Sequence, residues 1–311
     1  MVLTNRFKSI VLGCLFLFLG FEGMSQSLSA KKEIQYLSGT DNKNTVTWDF
    51  WCTGGRKSGV WSKIEVPSHW EQQGFGAYNY GRDYVTYGKN FRFHDEKGIY
   101  RHSFTVPSGW KGKEVFIVFE GSMTDTEVKI NGQSAGETHQ GAFYRFKYNI
   151  TDKIRFGKPN QLEVMVSKMS ADNSVNNAER LADYWILGGI FRPVYLEAYP
   201  KEHIDHIAID AKADGAFAMN VFTENIRPGS EIVAEILDAK GKTVGTTKVG
   251  TAGRSDSFFL KTKVNKPLQW TAETPDLYRV NVSIRNAGKT IYQTSQKFGF
   301  RTIEIRKQDG I

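Results

Sequence analysis

Apolar and polar residues alternate with period two along most of the chain, the pattern of strands with one face in a core and the other toward water. "NQLEVMVS" (160–167) puts Leu162, Val164 and Val166 on one face, and "PVYLEAY" (193–199) does the same with Val194, Leu196 and Ala198. "VFIVFEG" (115–121) is an unbroken apolar run of the length of a buried strand. Turn signals punctuate these runs. "TEVKINGQSAG" (126–136) predicts a hairpin turning at Asn131-Gly132, "EIVAEILDAKGKTVGTTKV" one around Ala239 to Gly241, and "LYRVNVSIRNAGKTIYQ" one around Asn286 to Gly288. No window longer than about ten residues holds a helical period. The pattern predicts two all-β domains joined near Pro200, and it excludes a Rossmann unit or a (β/α)₈ barrel within these residues, since both alternate strands with helices.

Residues 1–25 break the pattern. Arg6 and Lys8 precede "IVLGCLFLFLGF", shorter than a membrane-spanning helix and followed by Gly23 and Ser25, which reads as a cleaved secretory signal. A lipidation site at Cys14 ranks second, because the apolar run continues past it. Cleavage would leave Cys52 alone and without an internal disulfide partner, so packing would have to stabilise the mature chain.

Composition adds capacity for a core: 311 residues, 40% hydrophobic and 13% aromatic. The net charge of +8 is spread, with no run of five or six basic residues, so nucleic acid is not an expected partner.

Three constellations are candidates for chemistry. His203 and His206 in "HIDH" would be a metal pair on a helix, but on a strand they point to opposite faces. "FHDEKG" (93–98) reads as a solvated turn. The third is aromatic: Trp48, Trp51, Trp61 and Trp70 are followed by Tyr78, Tyr80, Tyr84 and Tyr87, and further on Asp183 stands beside Trp185. Indole faces suit the C–H face of a sugar and adjacent carboxylates suit its hydroxyls, although any single Trp is more often core.

"VPSHWE" (66–71), "GIYRHSFTVPSGWKGKEVFIVFEG" (98–121), "EVKINGQSAG" (127–136), "DYWILGGIFRPVYLEAYP" (183–200), "WTAETPDLY" (270–278) and "FGFRTIEI" (298–305) resemble successive signatures of glycoside hydrolase family 2, in order. The similarity is greatest to its β-galactosidase branch, including exported enzymes of gut Bacteroidetes. The resemblance implies a jelly-roll, galactose-binding-like sandwich over 26–199, an immunoglobulin-like sandwich over 200–300, and a lead-in at 301–311 to a catalytic (β/α)₈ barrel that these residues do not contain. It implies that both catalytic glutamates lie in that barrel, so no catalytic residue is expected here and the chain is expected to be inactive alone.

By the same resemblance, Asp183 reaches from the jelly-roll into the barrel mouth and contacts galactose and a sodium ion, with Trp185 beside it. Sodium or magnesium would belong to the longer enzyme. A second correspondence is partial: the family's Asn after "VPSxW" aligns on Tyr84, with Asp83 and Asn79 nearby. Gly188-Gly189 is expected to permit the turn, and Arg192 to bond backbone carbonyls or a nearby acid. The implied partners are a β-galactoside, the barrel, and another copy of the chain through the bared barrel-docking face. A free-standing carbohydrate-binding module, or the front of a β-glucuronidase or β-mannosidase, are the alternatives.

Overall fold

The computed structural model describes residues 31–88, 90–252 and 255–305; the signal segment and Cys14 lie outside them. The first unit contains β1 (Glu33–Tyr36), β2 (Val46–Cys52), β3 (Trp61–Val66), β4 (Asn79–Tyr80), β5 (Lys97–Thr105), β6 (Glu114–Phe119), β7 (Thr126–Ile130), β8 (Gln133–Ser134), β9 (Phe146–Asn149), β10 (Pro159–Ser167), β11 (Trp185–Ile186) and β12 (Val194–Tyr199). Two short helices interrupt it, α1 (Asp83–Tyr87) and α2 (Asn173–Glu179). A four-stranded sheet, β1-β12-β6-β9, faces a six-stranded one, β3-β2-β5-β10-β7-β8, and β4 pairs with β11 apart from both. The second unit follows with β13 (His203–Ala211), β14 (Ala216–Glu224), β15 (Ser230–Leu237), β16 (Thr243–Gly250), β17 (Ser257–Lys263), β18 (Tyr278–Asn286) and β19 (Lys289–Phe298). Its sheets are β13-β14-β17 and β16-β15-β18-β19. The all-β class read from the alternation is what the chain adopts.

Each sandwich encloses its own core. Trp48, Phe50, Ile64, Tyr100, Ile117, Leu162, Val164, Val166 and Leu196 meet in the first, and Phe217, Val221, Ile232, Ile236, Val280, Val282 and Ile284 in the second. The three hairpins turn where their Gly-containing dipeptides or tripeptides stand. At two of them the loop is two residues long and both take positive φ, 52° and 82° at Asn131-Gly132 and 47° and 76° at Ala287-Gly288, the pair of left-handed residues that a two-residue hairpin needs.

Two expectations from the pattern fail in the same way. "FHDEKG" is not a solvated turn throughout, because Glu96 is 4% exposed. Strand β12 is buried on both faces rather than one, Glu197 included. In both cases a residue that local sequence assigns to water, by turn composition at Glu96 and by alternation at Glu197, is covered. Over β12, the Glu197 carboxylate accepts from Lys32 Nζ at 2.6 Å, Arg145 Nη2 at 2.9 Å and Tyr199 Oη at 2.9 Å. Tyr199 belongs to the second core, against which Phe116 of the first sandwich packs, and Lys147 bridges to Asp205 at 2.5 Å. The polar face of β12 therefore joins the two sandwiches. In β13, His203 is buried against Tyr199 while His206 lies on the surface over Phe222. A bulge between Ile204 and His206 sets the two opposite Glu224 and Phe222, which share one face of β14, so strict alternation does not hold here and burial is what separates them.

Burial pushes the Glu197 carboxyl up, but Lys32, Tyr199 and Arg145 more than cancel it and leave the group below its ordinary 4.5. A depressed folded value means stability that is present above the ordinary carboxylate range and lost as pH falls through the folded value. Glu197→Gln should cost about 2 kcal/mol at neutral pH. The deficit against wild type should shrink in acid, as read from guanidinium unfolding midpoints at both pH values.

Candidate functional site

The segment "DYWILGGIF" is held above the first core by the stretch that begins at "VPSHWE". Trp185 pairs with Tyr80 and Ile186 with Asn79 in the small β4-β11 sheet. Because side chains alternate across a strand, one register pair faces inward and the other outward. Ile186 is fully buried and Asn79 is 1% exposed, whereas Trp185 is 59% exposed. The edges of Tyr78 and Tyr80 meet the Trp185 ring at centroid distances of 5.8 and 5.4 Å. Tyr80 Oη donates to the Asp183 carboxylate, and Gly81 N–H donates to Tyr184 O at 2.9 Å. Asp183 itself is exposed.

Of the sequence candidates, Asp183 and Trp185 thus stand together at the surface. Asn79 lies beneath them, its amide donating to His94 O at 2.7 Å and accepting from His94 N–H at 3.2 Å, so it positions the backbone and does not face solvent. Tyr84 is 42% exposed on α1, tied to the others through Asp83, whose carboxylate accepts from Tyr80 N–H at 3.0 Å. Arg192 bonds backbone carbonyls as expected, donating to Phe143 O at 3.1 Å and Glu120 O at 3.4 Å. The early tryptophans divide: Trp48 and Trp70 are core, Trp61 is exposed and Trp51 half-buried. As a metal site, Asp183 offers a single carboxylate, and among the described residues no group of three or more His, Cys, Asp or Glu could hold an ion. A cation at Asp183 would have to find its remaining ligands outside these residues.

What fixes the loop is a buried charge cluster that motif reading passed over. Lys168 Nζ lies 2.7 Å from Glu71 and 2.8 Å from Glu96, with all three side chains at 2% exposure or less, and donates also to Ala77 O. Both Glu71 oxygens accept from Gly188 N–H, at 3.1 and 3.0 Å. Glu96 accepts from Ala77 N–H at 2.7 Å. Burial pushes the Glu71 carboxyl up, with Lys168 and the Gly188 N–H pulling it partly back. Arg180 is 1% exposed and donates to Leu187 O, and burial pushes its guanidinium down to about 10 against the pull of Tyr184, Glu71 and Glu179. The alternation that marks β10 held the signal, since Lys168 continues the inward series Leu162, Val164, Val166.

The two glycines have separate reasons. Gly188 lies against the Trp70 ring, where a Cβ would come within 2.1 Å of the indole. Gly189 has φ +122°, and a Cβ there would stand 2.7 Å from Ser68 O. Trp70 N–H donates to Gly188 O and Ser68 N–H to Ile190 O, which completes the clamp.

Removing the shared cation leaves two buried carboxylates without the ammonium that both are bound to. Lys168→Met should lower stability by about 3–5 kcal/mol in urea titrations. The same change should loosen the loop, read as faster amide exchange at Gly188 and Ile186.

The chain matches two family descriptions end to end: "Glycosyl hydrolases family 2, sugar binding domain" over residues 40–200 and "Glycosyl hydrolases family 2" over residues 202–301. It is similar to a β-galactosidase of Priestia megaterium, 28% identical over 270 residues, covering 79% of this chain and 25% of that protein. A β-galactosidase of Streptococcus thermophilus is 30% identical over 297 residues, covering 91% of this chain and 28% of that protein. Among solved structures, a β-glucuronidase of Bacteroides uniformis superposes with TM-score 0.65 at 25% identity, covering 86% of this chain and 32% of its own. The chain spans about a quarter of the length of these curated relatives. With the two matches running consecutively over both sandwiches, the chain belongs to glycoside hydrolase family 2.

Proposed function

We propose that the protein acts in the hydrolysis of β-galactosides and that this chain supplies the shoulder of the sugar site, with catalysis housed in a domain beyond these residues. The observation that carries this reading is the exposed Asp183 carboxylate, braced by Tyr80 Oη, whose ring also meets the exposed Trp185. A carboxylate accepts the hydroxyls of a sugar in charge-assisted hydrogen bonds, and an indole covers its C–H face. An acid in that place repels the carboxylate of a glucuronide, which favours a neutral glycone.

A retaining glycosidase needs two carboxyl groups about 5 Å apart at the scissile bond. Glu71 and Glu96 are the pair that Lys168 brings together, and they are 1% and 4% exposed and both bound to that lysine, so no substrate reaches them. They brace the loop. The basic and apolar character of residues 1–25 supports export of the protein.

On this reading, purified chain alone should not release nitrophenol from a nitrophenyl β-galactoside, and measurable turnover would sink it. In the protein joined to a catalytic domain, Asp183→Ala should lower kcat/KM by about tenfold to a hundredfold. An unchanged kcat/KM would remove Asp183 from the sugar site.

A further inference from the structure

The outer face of the six-stranded sheet carries an organised surface that the Asp183 loop does not use. Across it runs a row of register partners: Trp61 opposite Trp51, Trp51 opposite Ile99, and Ile99 opposite Met165. Trp61 is 43% exposed and the other three are half-buried, so the row is open to solvent along its length. Strands lie about 4.8 Å apart, so four of them spread this apolar strip over about 14 Å. The two indoles meet edge to face at 5.7 Å, and the Arg101 guanidinium stacks on Trp61 at 4.4 Å, which fixes the rings relative to the sheet.

One pleat away runs a second row, in which charge alternates from strand to strand: Lys63, Asp49, Arg101, Glu163, Lys129. Lys63 bridges Asp49 at 2.5 Å and Arg101 bridges Glu163 at 2.9 Å. Lys97, Glu65 and Glu127 are the remaining charged residues on outward positions of these strands, so four basic side chains face four acidic ones. The face has no net charge to attract a nucleic acid, an anionic membrane or an acidic peptide. It offers an aromatic strip, its two indoles inclined at 61° to each other, beside a line of paired hydrogen-bonding groups.

We propose that this face binds a neutral polysaccharide, with the Trp51–Trp61 pair stacking on the C–H faces of consecutive sugars and the flanking charged row meeting their hydroxyls. An extended glycan presents apolar ring faces and hydroxyl edges side by side, the same two chemistries that the two rows present, and it carries no charge. The strip lies wholly within residues 40–200, the part of the chain that matches a sugar-binding domain. Its function is to hold the protein on a polymer, and it is independent of the shoulder at Asp183.

The test is native electrophoresis of the purified protein through gels containing pectic galactan, hydroxyethylcellulose or anionic carboxymethylcellulose. A neutral polymer should retard wild type and Trp185→Ala alike. Trp61→Ala should lose about tenfold in affinity, the worth of one good aromatic contact. Met165→Lys, which puts a charge into the strip, should lose a similar amount, and unchanged circular dichroism should accompany both. The proposal fails if neither neutral polymer retards wild type, if only the anionic one does, or if Trp61→Ala migrates as wild type. It fails also if Trp185→Ala alone abolishes retardation, which would assign the binding to the Asp183 loop. Conversion of a dimer to a monomer by Trp61→Ala in light scattering would overturn it as well, since the strip would then be an interface between copies.

Discussion

One buried ammonium holds one end of the first sandwich in place. Lys168 reaches inward from the end of β10 and bridges Glu71, from the segment after β3, to Glu96, from the segment before β5. Through Glu71 the same cation fixes Gly188 and with it the loop that carries Asp183 and Trp185. Three stretches far apart in sequence meet at a single charge. In a low-dielectric interior such a cluster is tolerable only when every member is paired, so its geometry is far less adjustable than that of the apolar core around it.

That rigidity suits a loop whose useful groups face outward. Asp183 and Trp185 contribute nothing to the core, and left to themselves they would have many orientations. Below them, Ile186 and Asn79 anchor the small β4-β11 sheet, and Trp70 packs where Gly188 leaves no side chain. The exposed loop is thus held from below by buried polar contacts as well as by Tyr78 and Tyr80 at its surface. The joint between the sandwiches uses the same device, with Glu197 buried among Lys32, Arg145 and Tyr199.

The family match covers both sandwiches, and the chain spans about a quarter of the length of the curated relatives it matches. Trp185 and Trp61, both exposed, have different settings. Trp185 stands with Tyr78 and Tyr80 beside a carboxylate, whereas Trp61 stands with Trp51 beside a charge-balanced ladder on a flat sheet.

The sequence by itself determined the elements. Period-two alternation gives the strands, and Asn131-Gly132 and its counterparts give the hairpins, because these depend on residues adjacent along the chain. It also brought Asp183 and Trp185 together, since they are two residues apart. The tertiary structure alone decided which polar residues are buried. Glu96 sits in a stretch with the composition of a turn, and Glu197 alternates correctly for an exposed position, yet both are covered by elements distant in sequence. Local pattern reports which side of a strand a residue is on, and only packing decides whether that side meets water. The same limit separated the tryptophans: Trp48 and Trp51 share one strand, and the sandwich put the first inside and left the second on the outer face.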